Sequence, residues 1–333
     1  MELHSVRHAA VLATLILSAM LIAPSAVAAE PAAESAPQNK DRPPEVVVVG
    51  PKLDQHTLSG VAMKFVESHA AVNPAIHQMS RWRVGLCPSV TGLTPAANAF
   101  VVGRVEEVAR SVGERARGVD QKCEVNVEIV FTSEPQQLVD HIAKTFPVLL
   151  GSSRSAGDTA FSRPIQPWYL TGTTSTAGFQ PPAEAAPGDT TLLLALSDPQ
   201  SKSSDAKVDP DYGSGDQPSG LTGSYFTKGL TSELRHVLLV VDRGKVATLS
   251  VRAIADYVAM LSLTRMGSLD TCSELPSIID LLSSGCGERE KPTSLTDADE
   301  AYLKALYSSN REANLNLEQA DMRDRMTNTI LGK

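Results

Sequence analysis

The side chains that could do chemistry in this chain are few and lie far apart. Seven histidines are present, and two of them fall within the first eight residues. The other five are His56, His69, His77, His141 and His236. They form no H-E-x-x-H sequence, and Pro74 interrupts the closest pair. Because G-x-S-x-G, S-x-x-K with its companion motifs and phosphate-binding glycine loops are also lacking, we expect no nucleophilic site, no metal and no other cofactor.

The four cysteines are the other reactive side chains, and they are Cys87, Cys123, Cys272 and Cys286. No pair has the C-x-x-C spacing of a zinc site, and no histidine lies close to either pair. An even number of cysteines in an exported chain is typical of disulfide bonds. Three pairings are possible, and proximity along the chain favours Cys87–Cys123 and Cys272–Cys286.

Residues 1–29 predict export. A polar start carrying Arg7 is followed by an apolar run at 9–23 and by the small residues of an A-x-A cleavage site. This run is shorter than the roughly 20 residues of a spanning helix, and no later run reaches that length. The sequence has no cysteine near the cleavage site to which a lipid could be attached. The sequence therefore predicts a periplasmic or secreted protein without a membrane span in the mature chain.

The charge of the chain restricts the class of partner. The formal net charge is -8 at pH 7, and the charges are scattered rather than gathered in a basic stripe. Such a surface gains nothing from counterion release, so we expect neither nucleic acid nor an anionic membrane as a partner.

The elements that would position any site alternate in type. A strand at 81–86 is predicted by Trp82, Val84 and Leu86, and further strands are predicted at 123–131 and 165–171. Helices follow the start signals at Thr94 and Ser133. A second series begins with a strand at 236–241, and helices follow near Ser250, after the Thr296 capping box and around 317–330.

This order predicts a mixed α/β, or α+β, fold. Residues 30–45 read as a disordered tether, and 46–310 as a single domain. Within it, 174–232 are crowded with Ser, Thr, Gly, Pro and Asp, which indicates a flexible insertion. Residues 311–333 are expected to form a C-terminal helix.

The last third of the chain resembles the zincin-type metallopeptidase domain. In that family a strand leads into a helix of pattern H-E-x-x-H-x-x-G-x-x-H, then a Ser-Ile-Met turn, then an L-T-x-x-D segment whose helix ends in A-L-Y. Here the helix covers 254–263, the turn reads L-P-S-I-I at 275–279, and the closing segment reads L-T-D-A-D at 295–299 and A-L-Y at 305–307. Exported proteobacterial proteins of unknown function share a similar closing pattern. The resemblance implies a twisted mixed sheet with flanking helices and a C-terminal helical part.

The same resemblance implies that the zinc site has been lost. The metal-ligand positions fall on Ala255, Ala259 and Arg265, and the general-base position falls on Asp256. Zinc needs ligands with lone pairs, which methyl groups and a guanidinium do not supply.

Three functions are therefore open. The first is a non-catalytic, zincin-like pseudoenzyme that binds an extended peptide or envelope protein by strand addition beside strand 236–241. The second is a metal-independent hydrolase that uses Asp256 with Asp242 or Glu128. The third is a structural part of an envelope complex.

Overall fold

The computed structural model describes residues 54–73, 76–116, 123–151, 159–175, 229–287 and 289–332. The predicted signal sequence, the tether at 30–45 and most of the insertion at 174–232 lie outside these residues. Within them the chain is mixed α/β, as the sequence predicts. The described part contains no helix long and apolar enough to cross a bilayer.

Among the residues that the structure describes, the main sheet has four strands in the order β3-β4-β6-β5. They are β3 (Pro88–Thr91), β4 (Val127–Thr132), β5 (Ile165–Ser175) and β6 (Leu230–Asp242). Strands β3, β4 and β6 are parallel to one another, and β5 is antiparallel to β6. The short strands β1 (Val72–Asn73) and β2 (Gln78–Met79) form a separate antiparallel ladder.

Strand β6 is an interior strand. It pairs with β4 along one side and with β5 along the other. The prediction that strand 236–241 offers a free edge for a peptide is therefore wrong, because both sides are already hydrogen-bonded. Burial on both faces also explains why this strand is continuously apolar rather than alternating.

Six α-helices are present in the described residues: α1 (Gln55–His69), α2 (Pro95–Ser111), α3 (Pro135–Thr145), α4 (Val251–Leu263), α5 (Asp297–Ser308) and α6 (Leu315–Ile330). Their starts follow from local chemistry. Thr94 accepts from Ala97 N at the start of α2, and Ser250 accepts from Ala253 N at the start of α4. Thr296 forms the predicted capping box of α5.

The sheet separates two cores. Val237, Leu239 and Val241 on β6 belong to the larger core, which includes the buried residues of α1, α2 and α4 to α6. Leu238 and Val240 point to the opposite face and join a smaller core under α3. Strand alternation thus assigns each helix to one face of the sheet.

Two predicted boundaries need correction. The strands continue into both ends of the predicted insertion, because Thr174 pairs with Thr231 and Ser175 with Leu230. The helix predicted at 311–333 is also not separate from the domain, since Met322 and Met326 of α6 lie in the larger core. The described residues belong to one compact unit.

Both disulfides have the pairing that proximity favours. Cys87 is bonded to Cys123 and Cys272 to Cys286, with Cα–Cα distances of 5.9 and 5.4 Å. Disulfides of this kind are typical of proteins from oxidising compartments.

Candidate functional site

Helix α4 carries Ala255 and Ala259, two of the positions predicted to correspond to metal ligands, and it is a core helix. Every residue from Ala253 to Leu263 is buried. Ala255 and Ala259 are both 0% exposed and pack within the larger core. Arg265 lies just beyond the helix, where its backbone carbonyl accepts from Ala71 N at 2.9 Å. These positions offer packing surface rather than donor atoms for a metal.

Asp256, the candidate catalytic carboxylate, has a structural partner on each oxygen. Its Oδ1 accepts from Arg104 Nε in α2, and its Oδ2 accepts from Leu295 N at 3.2 Å. The side chain is 0% exposed, and Arg104 also pairs with Glu107 at 2.9 Å. The carboxylate thus connects α2, α4 and the segment that precedes α5.

The other carboxylates of the acid-pair hypothesis have different contacts. Glu128 lies 3.2 Å from Nε2 of His236. Its neighbours Val127 and Ile129 face the larger core with α4, so Glu128 lies on the opposite face of the sheet from Asp256. Asp242 closes the turn after β6 by accepting from Gly244 N and Lys245 N at 2.9 and 3.2 Å. Among the described residues, the carboxylates of Asp256, Glu128 and Asp242 form no contact with one another.

The closing segment, which covers 275–279 and 295–307, is held together by Asp299. This carboxylate accepts from Ser277 Oγ at 2.6 Å, Ile278 N at 2.8 Å and Thr296 N at 3.0 Å. Burial raises its pKa to about 6, against the lowering effect of these hydrogen bonds. The spacing of L-P-S-I-I and L-T-D-A-D therefore has a structural role: one carboxylate joins the turn to the start of α5.

A cavity lies where the parallel strands end, and we call it the carboxyl-end cavity. Its volume is about 260 Å³. It is lined by the ends of β4 and β6, the start of α4 and one face of α2, including Leu93, Val101, Phe131, Arg243, Val246, Leu249 and Ile254. Open α/β sheets bind ligands at this edge, outside the carboxyl ends of their strands.

The backbone beside this cavity depends on Gly92. Its φ of +91° is a conformation that side chains disfavour, and a Cβ there would overlap the carbonyl oxygen of Phe131. The glycine lets the β3–α2 connection approach β4 closely, which positions Leu93 at the cavity.

Arg243 supplies the positive charge of the carboxyl-end cavity. It is exposed, and no ion pair among the described residues involves it. Leu93 directly precedes the cap of α2, and Val251 is the first residue of α4, so two positive helix ends lie beside the cavity. A ligand that carries an apolar group next to an anion would fit this combination of apolar lining, Arg243 and helix N-termini.

A second cavity of about 400 Å³ lies along the closing segment, between Leu275, Leu295 and Ile330. Asp297 is the charged residue of its lining. Its position away from the strand ends gives it less support as a ligand site. Sequence reasoning missed the carboxyl-end cavity, although Gly92 and the D-R-G turn at 242–244 were available as signals.

Comparison of the chain with protein-family models, with curated proteins and with solved structures finds no match.

Proposed function

We propose that this protein is an exported, non-catalytic binding or interaction protein of the bacterial envelope, built on a zincin-like domain. The proposal rests on the burial and the hydrogen bonds of residues in α4. The ligand positions Ala255 and Ala259 are buried, and both oxygens of Asp256 already have structural partners. A carboxylate so engaged is a poor general base, because activating water would require breaking a buried ion pair.

We further propose the carboxyl-end cavity as the binding site, with an extended peptide as ligand. The cavity is slightly smaller than the roughly 300–1,000 Å³ typical of sites for whole small molecules. Its size therefore suits one or two apolar side chains of a longer ligand. Arg243 and the two helix ends favour a carboxylate next to them, from an acidic residue or from a peptide C-terminus.

The experiment is a titration of fluorescent peptides that carry Leu or Phe beside Asp or a free C-terminus, followed by anisotropy. Arg243→Gln should weaken the tightest peptide at least tenfold, and Ala247→Trp, at the mouth of the cavity, should abolish binding. Arg252→Gln is the matched control, because Arg252 is an exposed neighbour outside the lining. Equal weakening by the two arginine variants, or full binding by Ala247→Trp, would contradict the site.

A further inference from the structure

A cluster of possible metal ligands lies in the segment before α5 and shares no residue with the lining of the carboxyl-end cavity. Among the described residues, Cys272, Asp280 and Cys286 place two sulfur atoms and a carboxylate oxygen within 4.8 Å of one another. The two sulfurs are joined as a disulfide, and both cysteines are half-buried.

The carboxylate of this cluster has an unused acceptor. Asp280 is only 1% exposed. Its Oδ2 accepts from Ser277 N at 3.1 Å, but its buried Oδ1 has no hydrogen-bond partner. An unpartnered buried carboxylate oxygen is costly, and a cation beside it would satisfy it.

We propose that reduction of the Cys272–Cys286 disulfide creates a zinc site made of the two thiolates and Asp280. A dithiol reductant supplies two electrons and two protons, becomes a disulfide itself and leaves two thiols. Zinc then displaces the two thiol protons to water and binds both sulfur atoms and the carboxylate. Water fills the fourth tetrahedral position. In the oxidised protein the sulfurs are bonded to each other and cannot act as thiolate ligands.

The surroundings suit a site of this charge. Two thiolates, one carboxylate and Zn²⁺ sum to one negative charge. Two cations stand at the rim, because Lys291 Nζ donates to Ser283 O at 2.7 Å and Arg289 Nη1 donates to Ser273 O at 2.6 Å. The hydroxyl of Ser283 lies 3.7 Å from Cys272 Sγ and donates its proton to Asp270 O at 3.1 Å, so a polar group already stands beside the sulfur.

The test is a Co²⁺ titration of the purified protein, oxidised and after reduction by a phosphine, followed by competition with Zn²⁺. The reduced protein should show thiolate-to-cobalt charge-transfer absorption with one ion bound, and the oxidised protein should show none. Replacing Cys272 and Cys286 by Ser should remove the absorption. The matched control replaces Cys87 and Cys123 by Ser and should keep it.

Asp280→Asn should weaken zinc at least tenfold while both thiolates still bind. Unchanged affinity in this variant would overturn the three-ligand site. Should the variant fail to fold, because Asp280 closes a capping box with Ser277, the wild-type titration still decides. Reduced wild-type protein without charge-transfer absorption, or absorption that persists without Cys272 and Cys286, would overturn the proposal.

Discussion

Arg104 of α2 donates its Nε–H to Oδ1 of Asp256 on α4, and the carboxylate is fully buried. The residue predicted to occupy the general-base position thus joins two core helices. A buried pair of this kind is expensive to break, since removal of one partner leaves the other without compensation.

Replacing Asp256 by Ala should therefore lower the free energy of unfolding by about 3 kcal/mol, because Arg104 and Leu295 N lose their acceptor. Urea denaturation measures this loss. The affinity for the peptide should stay within twofold of wild type. The double variant Arg104→Met, Asp256→Leu should lose less stability than Asp256→Ala alone, since it leaves no unpaired charge. A variant that keeps its stability but loses a hydrolytic activity would support the acid-pair hypothesis instead.

Replacing Gly92 by Ala should destabilise the protein by more than 2 kcal/mol. The added Cβ would overlap Phe131 O, and the φ of +91° is strained for alanine. Gly103→Ala is the control, because Gly103 lies exposed inside α2 with open space around its Cα. That change should stabilise by roughly 0.5–1 kcal/mol. Thermal unfolding compares the two, and equal effects would contradict the close approach at Gly92.

His69 should make the protein less stable in acid. Its ring is 2% exposed and stacks on Phe65 at 3.7 Å, and burial lowers its pKa to about 4. The unfolded chain takes up a proton near pH 6.5, whereas the folded ring does so only near pH 4. Stability contributed by this group is therefore present above pH 6.5 and is lost as the pH falls towards 4.

Urea unfolding at pH 7 and pH 4.5 tests this. Wild type should lose about 2 kcal/mol more than His69→Leu between the two values. An equal loss in both proteins would show that the ring titrates as it does in the unfolded chain.

Asp299 should act in the opposite direction. Burial raises its pKa to about 6, so the folded protein holds a proton that the unfolded chain has released. Stability from this group is present near pH 4 and is lost as the pH rises through 6. Asn resembles the protonated acid, so the advantage of wild type over Asp299→Asn should shrink by about 2 kcal/mol from pH 4 to pH 7. The contribution of His69 is the same in both proteins and cancels. An advantage of wild type that grows with pH would contradict the raised pKa of Asp299.

Locally determined features of the fold could be predicted from the sequence. The starts of α2, α4 and α5 follow from Thr94, Ser250 and Thr296, whose side chains bind amides a few residues away. The observed disulfide pairs, Cys87–Cys123 and Cys272–Cys286, are also those that proximity along the chain favours.

Features that depend on residues far apart in the chain could not be predicted from the sequence. The strand of this region lies at 88–91 rather than at the predicted 81–86, and Val84 is 69% exposed although it alternates with buried Trp82 and Leu86. Arg81, the first residue of the predicted strand, forms a buried ion pair with Glu318, which lies far along the chain. The free edge predicted for β6 and the missed carboxyl-end cavity have a common cause: both depend on the order of strands in the sheet.

The most direct measurement is the map of backbone amide chemical shifts when the tightest peptide is added to the mature protein. We expect the largest changes at Leu93, Phe131, Arg243 and residues 246–251, with the peptide remaining uncleaved. Changes confined to the outer edges of β3 or β5, or cleavage of the peptide that stops in Asp256→Asn, would contradict a non-catalytic site at the ends of the parallel strands.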